Sequence, residues 1–249
     1  MSLCLKRIRK STVTKVTSLL LSVSCLIAVA AGCGKNPEVP DETTNSTLST
    51  YDIPVEQEDE NVDLGQGLVL TDVGKYTGIY MEDGSDEVVT GLLMIILKND
   101  SPQDLQLARL QLKYTDFVAQ FEVTNLPSGQ SVVLLEKNRH SYVEGDFLSA
   151  SMDDVVFFQE PMSLQEDQLK ISGEKGSICV ENLTDEPLGE MYIYYKNSAA
   201  DILYGGITYR ARVDGRLEAK EIRSVLTRHY NPDTCTIVNV QIVPLSETE

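Results

Sequence analysis

Met94-Ile95-Ile96-Leu97-Lys98-Asn99-Asp100-Ser101, followed by Leu110-Gln111-Leu112-Lys113-Tyr114, has a second version later in the chain. It is Ile178-Cys179-Val180-Glu181-Asn182-Leu183-Thr184, followed by Met191-Tyr192-Ile193-Tyr194-Tyr195-Lys196. In each copy an apolar run ends at Asn, a hydroxyl residue follows two positions on, and an alternating run comes next. Alternation at period two is the mark of a half-buried strand. Each copy then carries a Leu (Leu126, Leu217) and an Arg-His pair (Arg139-His140, Arg228-His229). The offset is 83 at the Asn, 91 at the Leu and 89 at the His, and an insertion at Ser198–Gly206 absorbs most of the drift. The repeat predicts two related modules of roughly 90 residues, joined near Pro161–Glu166.

The rest of the body agrees. Short β-rich runs occur at Lys75–Met81, Val88–Lys98, Leu107–Thr115, Phe117–Val123, Ser131–Glu136 and Val155–Gln159. Others follow at Leu169–Ser172, Ser177–Glu181, Gly189–Tyr195, Gly206–Val213 and Thr234–Val243. Turn residues separate them, as in Glu82-Asp83-Gly84-Ser85 and Leu126-Pro127-Ser128-Gly129. Only Leu217–His229 competes as a helix, and no βαβ rhythm is visible. The expected class is all-β, two tandem antiparallel β-sandwiches over 64–161 and 162–249.

The order of strand, Asn-x-Ser/Thr, strand, strand, Leu-Pro-x-Gly and strand resembles the immunoglobulin-like adhesion modules of bacterial surface proteins. Residues 94–136 carry the better match; the second copy has Leu217-Glu218-Ala219-Lys220 at the Leu-Pro-x-Gly position. The resemblance implies a scaffold and names no ligand. The segment from Gly205 to Tyr230 also resembles domains in lipoproteins of Gram-positive gut bacteria.

The N-terminus reads as an address. Lys6, Arg7, Arg9, Lys10 and Lys15 precede a mostly apolar run from Val16 to Ala31, with no acid before Glu38. This is the layout of a secretory signal, and the run is shorter than a membrane span requires. Ala30-Ala31-Gly32-Cys33 resembles the lipobox of bacterial lipoproteins, with Ala30 where the family favours Leu. The resemblance implies removal of 1–32 and acylation of Cys33. Two acyl chains anchor a protein stably where one does not. Residues 33–63 then form an acidic linker: 34–63 hold nine acids and one Lys, with too few apolar residues to offset ordering entropy.

The whole chain has 249 residues, 38 acidic and 21 basic, with a net charge of −17. Without residues 1–32 the charge becomes −22. Such a balance argues against nucleic-acid binding, which needs clustered Lys and Arg. It also leaves membrane attachment to the lipid.

Candidate chemistry is sparse. His140 and His229 hold equivalent repeat positions, expected a module apart, and so read as structural. No zinc, P-loop or nucleophile-elbow spacing is present. The acids Glu82, Asp83, Asp86, Glu87 and Asp153, Asp154 lack EF-hand spacing and read as solvated turns. With no Trp, a glycan lectin is disfavoured. Alternation places Tyr192 and Tyr194 inward and Tyr195 outward. Export permits a disulfide between Cys179 and Cys235. Parity, however, points both thiols outward: Ile178 and Val180 flank Cys179, and Thr236, Val238, Val240 and Ile242 define the side opposite Cys235. A bridge would then need neighbouring strands, and the pairing stays open. The sequence assigns no catalytic, metal or cofactor residue. It predicts a lipid-anchored protein at the extracytoplasmic face of the cell membrane, a non-catalytic binding or assembly component with an envelope-protein partner. A receptor or envelope enzyme with a site between the modules is the alternative.

Overall fold

Leu105, Ala108, Leu110 and Leu112 are buried while Arg109, Gln111 and Lys113 point away, so the alternation read in the first repeat copy is a strand with one buried face. The computed structural model describes residues 61–145 and 147–245, all within the compact unit Ser46–Glu249. The residues read as a signal segment, Cys33 and the residues read as linker up to 60 lie outside the described residues. The chain is all-β: β1 (Val62–Gly65), β2 (Leu68–Ile79), β3 (Val88–Asn99), β4 (Leu105–Lys113), β5 (Val118–Leu126), β6 (Ser131–Leu135) and β7 (Ser149–Phe157) come first. Then follow β8 (Leu169–Glu174), β9 (Ser177–Asn182), β10 (Met191–Ala199), β11 (Ile202–Val213), β12 (Ile222–Leu226) and β13 (Cys235–Ile242).

A seven-stranded sheet runs in the order β1-β2-β3-β6-β11-β10-β13. Two three-stranded sheets, β5-β4-β7 and β12-β9-β8, accompany it. Every strand pair is antiparallel except β6 with β11, which run parallel through Ser131↔Ile202, Val132↔Leu203 and Val133↔Tyr204. One core packs β5-β4-β7 on the β2, β3 and β6 part of the long sheet, through Phe121, Leu126, Leu93, Ile95, Leu97 and Leu134. A second packs β8 and β9 on β10, β11 and β13, through Ile178, Val180, Met191, Ile193, Val213 and Val240. On β10, Ile193 and Tyr195 belong to the second core while Tyr194 packs against the first. The two small sheets therefore lie on opposite faces of the long one.

The apolar run in β3 follows from this. Leu93, Ile95 and Leu97 enter the first core, and Leu92 and Met94 enter a third cluster with Tyr76, Tyr80, Val133 and Leu135 on the opposite face. A strand covered on both sides loses its alternation. Each fully buried Leu contributes about 1.5–3 kcal/mol.

One pairing scheme occurs twice. The order β2-β3-β6 recurs as β8-β9-β12, and β7-β4-β5 recurs as β13-β10-β11. Registers match: Met94↔Leu135 to Lys98↔Ser131 corresponds to Ser177↔Leu226 to Glu181↔Ile222. Asn99 donates to the carbonyls of Gln103 and Leu126, and its Oδ1 accepts from the Ser101 amide and hydroxyl. Asn182 does the same with Glu186, Leu217 and Thr184.

Several expectations are corrected. β1 begins at Val62, inside the stretch read as linker, and pairs with β2 through Val62↔Leu70 and Asp63↔Val69. β7 starts at Ser149 rather than Val155. The helix competitor is a turn, with Lys220 at φ 60, leading into β12. Tyr195 points inward, 3% exposed, because Met191 and Ile193 set the buried phase. Tyr192 and Tyr194 take the other face, where their hydroxyls donate to Glu190 and Gln241. Cys235 is buried rather than outward. A register shift pairs Tyr194 with Asn239 but Tyr195 with Ile237, so the extra residue Val238 resets the alternation. Cys179 and Cys235 are free thiols: Cys179 lies on the far side of β9 from its buried neighbours, whereas Cys235 enters the core from the opposing sheet.

Candidate functional site

Polar groups concentrate where β6 meets β11. The pairing of β10 with β11 skips from Asn197↔Tyr204 to Tyr195↔Tyr209, so the carbonyls between leave the ladder. Lys196, fully buried, fills that gap: its Nζ donates to the carbonyls of Gly205, Gly206 and Ile207 at 3.0, 3.0 and 2.8 Å. Glu82 enters from the β2–β3 loop. Its Oε1 accepts the Leu135 amide at 2.9 Å, and the Gly206 amide lies 2.8 Å from Oε2 and 3.0 Å from Oε1. The carboxylate thus bridges β6 and β11 just past the end of their parallel ladder. Burial pulls the Lys196 ammonium down to about 7, opposed by Glu82. Burial pushes Glu82 up, against the amides of Leu135 and Gly206 and the charge of Lys196.

The same loop holds Arg139 of the first basic pair and both members of the second. Asp83 and Glu87 hold Arg139 at 2.9 and 2.6 Å, and the guanidinium sits 4.4 Å over the Tyr80 ring. The Ser85 turn and then Arg139 lower the Asp83 carboxyl. Asp86 faces Arg228 at 3.7 Å and His229 Nδ1 at 3.6 Å. His229 stacks on Tyr209, and His140 stacks on Phe117. His140 Nδ1 lies 3.1 Å from the buried Glu136. Glu136 also accepts the backbone amides of Gln120 and His140. Each His therefore meets one carboxylate, and the acids expected as solvated turns bind cations or amides. Asp154 and Asp153 likewise pair with Arg109 and Gln111. Among the described residues no group of three or more His, Cys, Asp or Glu is placed to hold a metal ion.

A ligand-sized groove lies elsewhere. A groove of about 770 Å³ opens between segment 158–168 and strands β10 and β13. Phe158, Met162, Val243 and Pro244 give it apolar surface, and Tyr192 contributes to its wall. The side-chain amides of Gln159, Gln165, Gln168, Gln241 and Asn239, with Ser163 and the Glu160 carboxylate, supply its polar groups. Amides both donate and accept, which suits orienting a polar ligand. Sequence reading missed this groove because its residues are Gln, Pro and aliphatic side chains with no motif spacing. It missed the Glu82–Lys196 arrangement because nothing local marks a partner 114 residues away. The one available signal was the Ser198–Gly206 insertion, which supplies the residues of β11 that reach β6. No protein-family model and no curated protein matches the chain.

Proposed function

We propose that this chain is a bacterial lipoprotein held at the extracytoplasmic face of the cell membrane through Cys33. In this reading its body is two tandem immunoglobulin-like modules that bind or assemble envelope components without catalysis. The repeated pairing scheme and the matching Asn99 and Asn182 networks support the tandem reading. The observation that carries the binding role is the use made of ionisable groups. Glu82, Lys196, Glu136 and Arg139 hold backbone and loop together, whereas the groove beside segment 158–168 is lined mainly by amides and apolar side chains, with Glu160 its one carboxylate. That is the composition of a binding surface. The location of this groove, between segment 158–168 and the last strands, also favours the second reading, a receptor with its site between the modules.

The test is in-cell crosslinking of the tagged protein followed by mass spectrometry, with Cys33→Ser as control. A defined set of envelope proteins, lost with the anchor, is expected. Absence of any protein partner shifts the reading to the receptor. Fatty-acid labelling that persists in Cys33→Ser refutes the anchor.

A further inference from the structure

We propose that the free edge of β13 and segment 158–168 form a docking groove for an extended peptide of another protein, one with a short uncharged core and Lys or Arg flanks. The inference rests on the binding-component reading above and gives it a partner chemistry.

β13 is the outermost strand of the seven-stranded sheet. The Val243 amide, just past β13, donates at 2.8 Å to the carbonyl of Glu190, just before β10, so odd-numbered residues in this part of the chain turn their backbone groups inward. The Val240 amide donates outward to the Ser163 carbonyl at 2.8 Å. Ile242, two residues on, therefore presents its N–H and C=O to the groove. Among the described residues, neither these groups nor the Val240 carbonyl has a hydrogen-bond partner. Val240 is 2% exposed, so its carbonyl lies at the groove floor rather than on open surface.

A side chain holds the two walls of the groove together. Asn239 is 5% exposed and lines the groove. Its Oδ1 accepts the Ser163 amide at 3.0 Å, which ties segment 158–168 to β13. Unpaired edge groups beside a walled groove are the layout for strand addition.

Charge sets the flanks. Gln159, Gln165 and Gln241 are neutral, and Glu160 is the one charged side chain in the lining. Segment 158–168 carries Glu160, Glu166 and Asp167, all exposed, and no Lys or Arg. None of the three is ion-paired among the described residues. A peptide with cationic ends is attracted to this wall and an acidic one is repelled.

The test uses the full chain and a ten-residue peptide, Lys-Lys-(Thr-Val)₃-Lys-Lys, at low salt. Controls are the Glu-flanked peptide, a version N-methylated at alternate core amides, and a neutral hexasaccharide. The expected result is saturable binding with amide exchange at Ile242 slowed at least about tenfold. Combined Glu160→Lys, Glu166→Lys and Asp167→Lys should weaken it at least about tenfold, while the Glu-flanked peptide gains. These positions are exposed, so folding is unaffected. The proposal is overturned if Ile242 stays unprotected at about 1 mM peptide, if the N-methylated peptide binds equally well, or if only the hexasaccharide protects the groove. Partners captured in cells that leave Ile242 unprotected would sink the groove and spare the assembly reading.

Discussion

Glu82 and Lys196 meet through a single residue: Glu82 takes the amide of Gly206 and Lys196 takes its carbonyl. Neither the chain repeat nor the local pattern requires this. It arises because β11 leaves its ladder with β10 at the point where it also stops pairing with β6. Lys196→Met would strand three carbonyls and an uncompensated carboxylate. A loss of about 3–5 kcal/mol is expected in denaturant unfolding. Adding Glu82→Gln should recover at least about 1 kcal/mol relative to the sum of the single changes. Strict additivity would show that the two side chains act independently.

The same pair sets a pH dependence. Lys196 titrates near 7 in the folded protein against 10.5 as its ordinary value. Between those values the unfolded chain binds more protons, so stability rises with pH through that window, and the cost is fully present below it. Glu82 is raised, so from its ordinary value of 4.5 upward to its folded value stability falls as pH rises. Wild-type melting temperature, compared with Lys196→Met, should therefore climb from pH 7 to pH 10. A difference that stays flat across that range contradicts a strained ammonium.

Gly206 has no room for a side chain. A Cβ there would sit 1.7 Å from the Glu122 carbonyl oxygen on β5, which is backbone and cannot swing away. Gly206→Ala should cost about 3 kcal/mol or more, since β5 must move off β11. Thr124 and Thr208, 2.9 Å apart across the same contact, should lose their hydrogen bond with it. A melting temperature unchanged in Gly206→Ala would mean that β5 and β11 approach less closely.

What the sequence made legible was what repeats locally. Asn99 and Asn182 announced the turns they build because each satisfies carbonyls within its own half. Leu110 and Leu112 announced a one-sided strand because β4 is covered on one face. Tyr195 and Cys235 misled for the opposite reason: β10 carries contacts on both faces, and one extra residue at Val238 inverts the parity of β13. β7 was shortened because Ser149, Ser151 and Asp153 lack β-rich composition and are held by pairing with β4. The Glu82 bridge and the β13 groove were invisible because both depend on segments far apart in sequence meeting at strand edges.

Asn99 and Asn182 give a direct reading of how separate the two halves are. Each is fully buried, and each donates its amide to carbonyls across a turn while accepting from a hydroxyl residue. Alanine at either position strands several buried acceptors, for a loss of about 2–3 kcal/mol. The networks share no partner, so the double variant should lose the sum to within about 0.5 kcal/mol. Urea unfolding of the four proteins checks this. A coupling above about 1 kcal/mol would mean that the seam between β6 and β11 carries one turn's state to the other.

Thiol chemistry separates the two body cysteines. Burial raises the Cys235 thiol, and its Sγ lies 3.4 Å from both Asn197 Oδ1 and the His229 carbonyl. Cys179 is half-exposed on β9, paired with Ser172 and Ser224 on the flanking strands. Thiolate is the reactive form and needs access, so a maleimide should label Cys179 in the native protein and spare Cys235. Under denaturing conditions without reductant both should label, because they lie in different sheets of the second core and share no strand edge. Recovery of neither thiol under those conditions would establish the bridge and require β9 and β13 to approach across that core. Labelling of Cys235 in the native protein would instead place the opening at β13, whose bulge at Val238 is where the strand departs from its ladder.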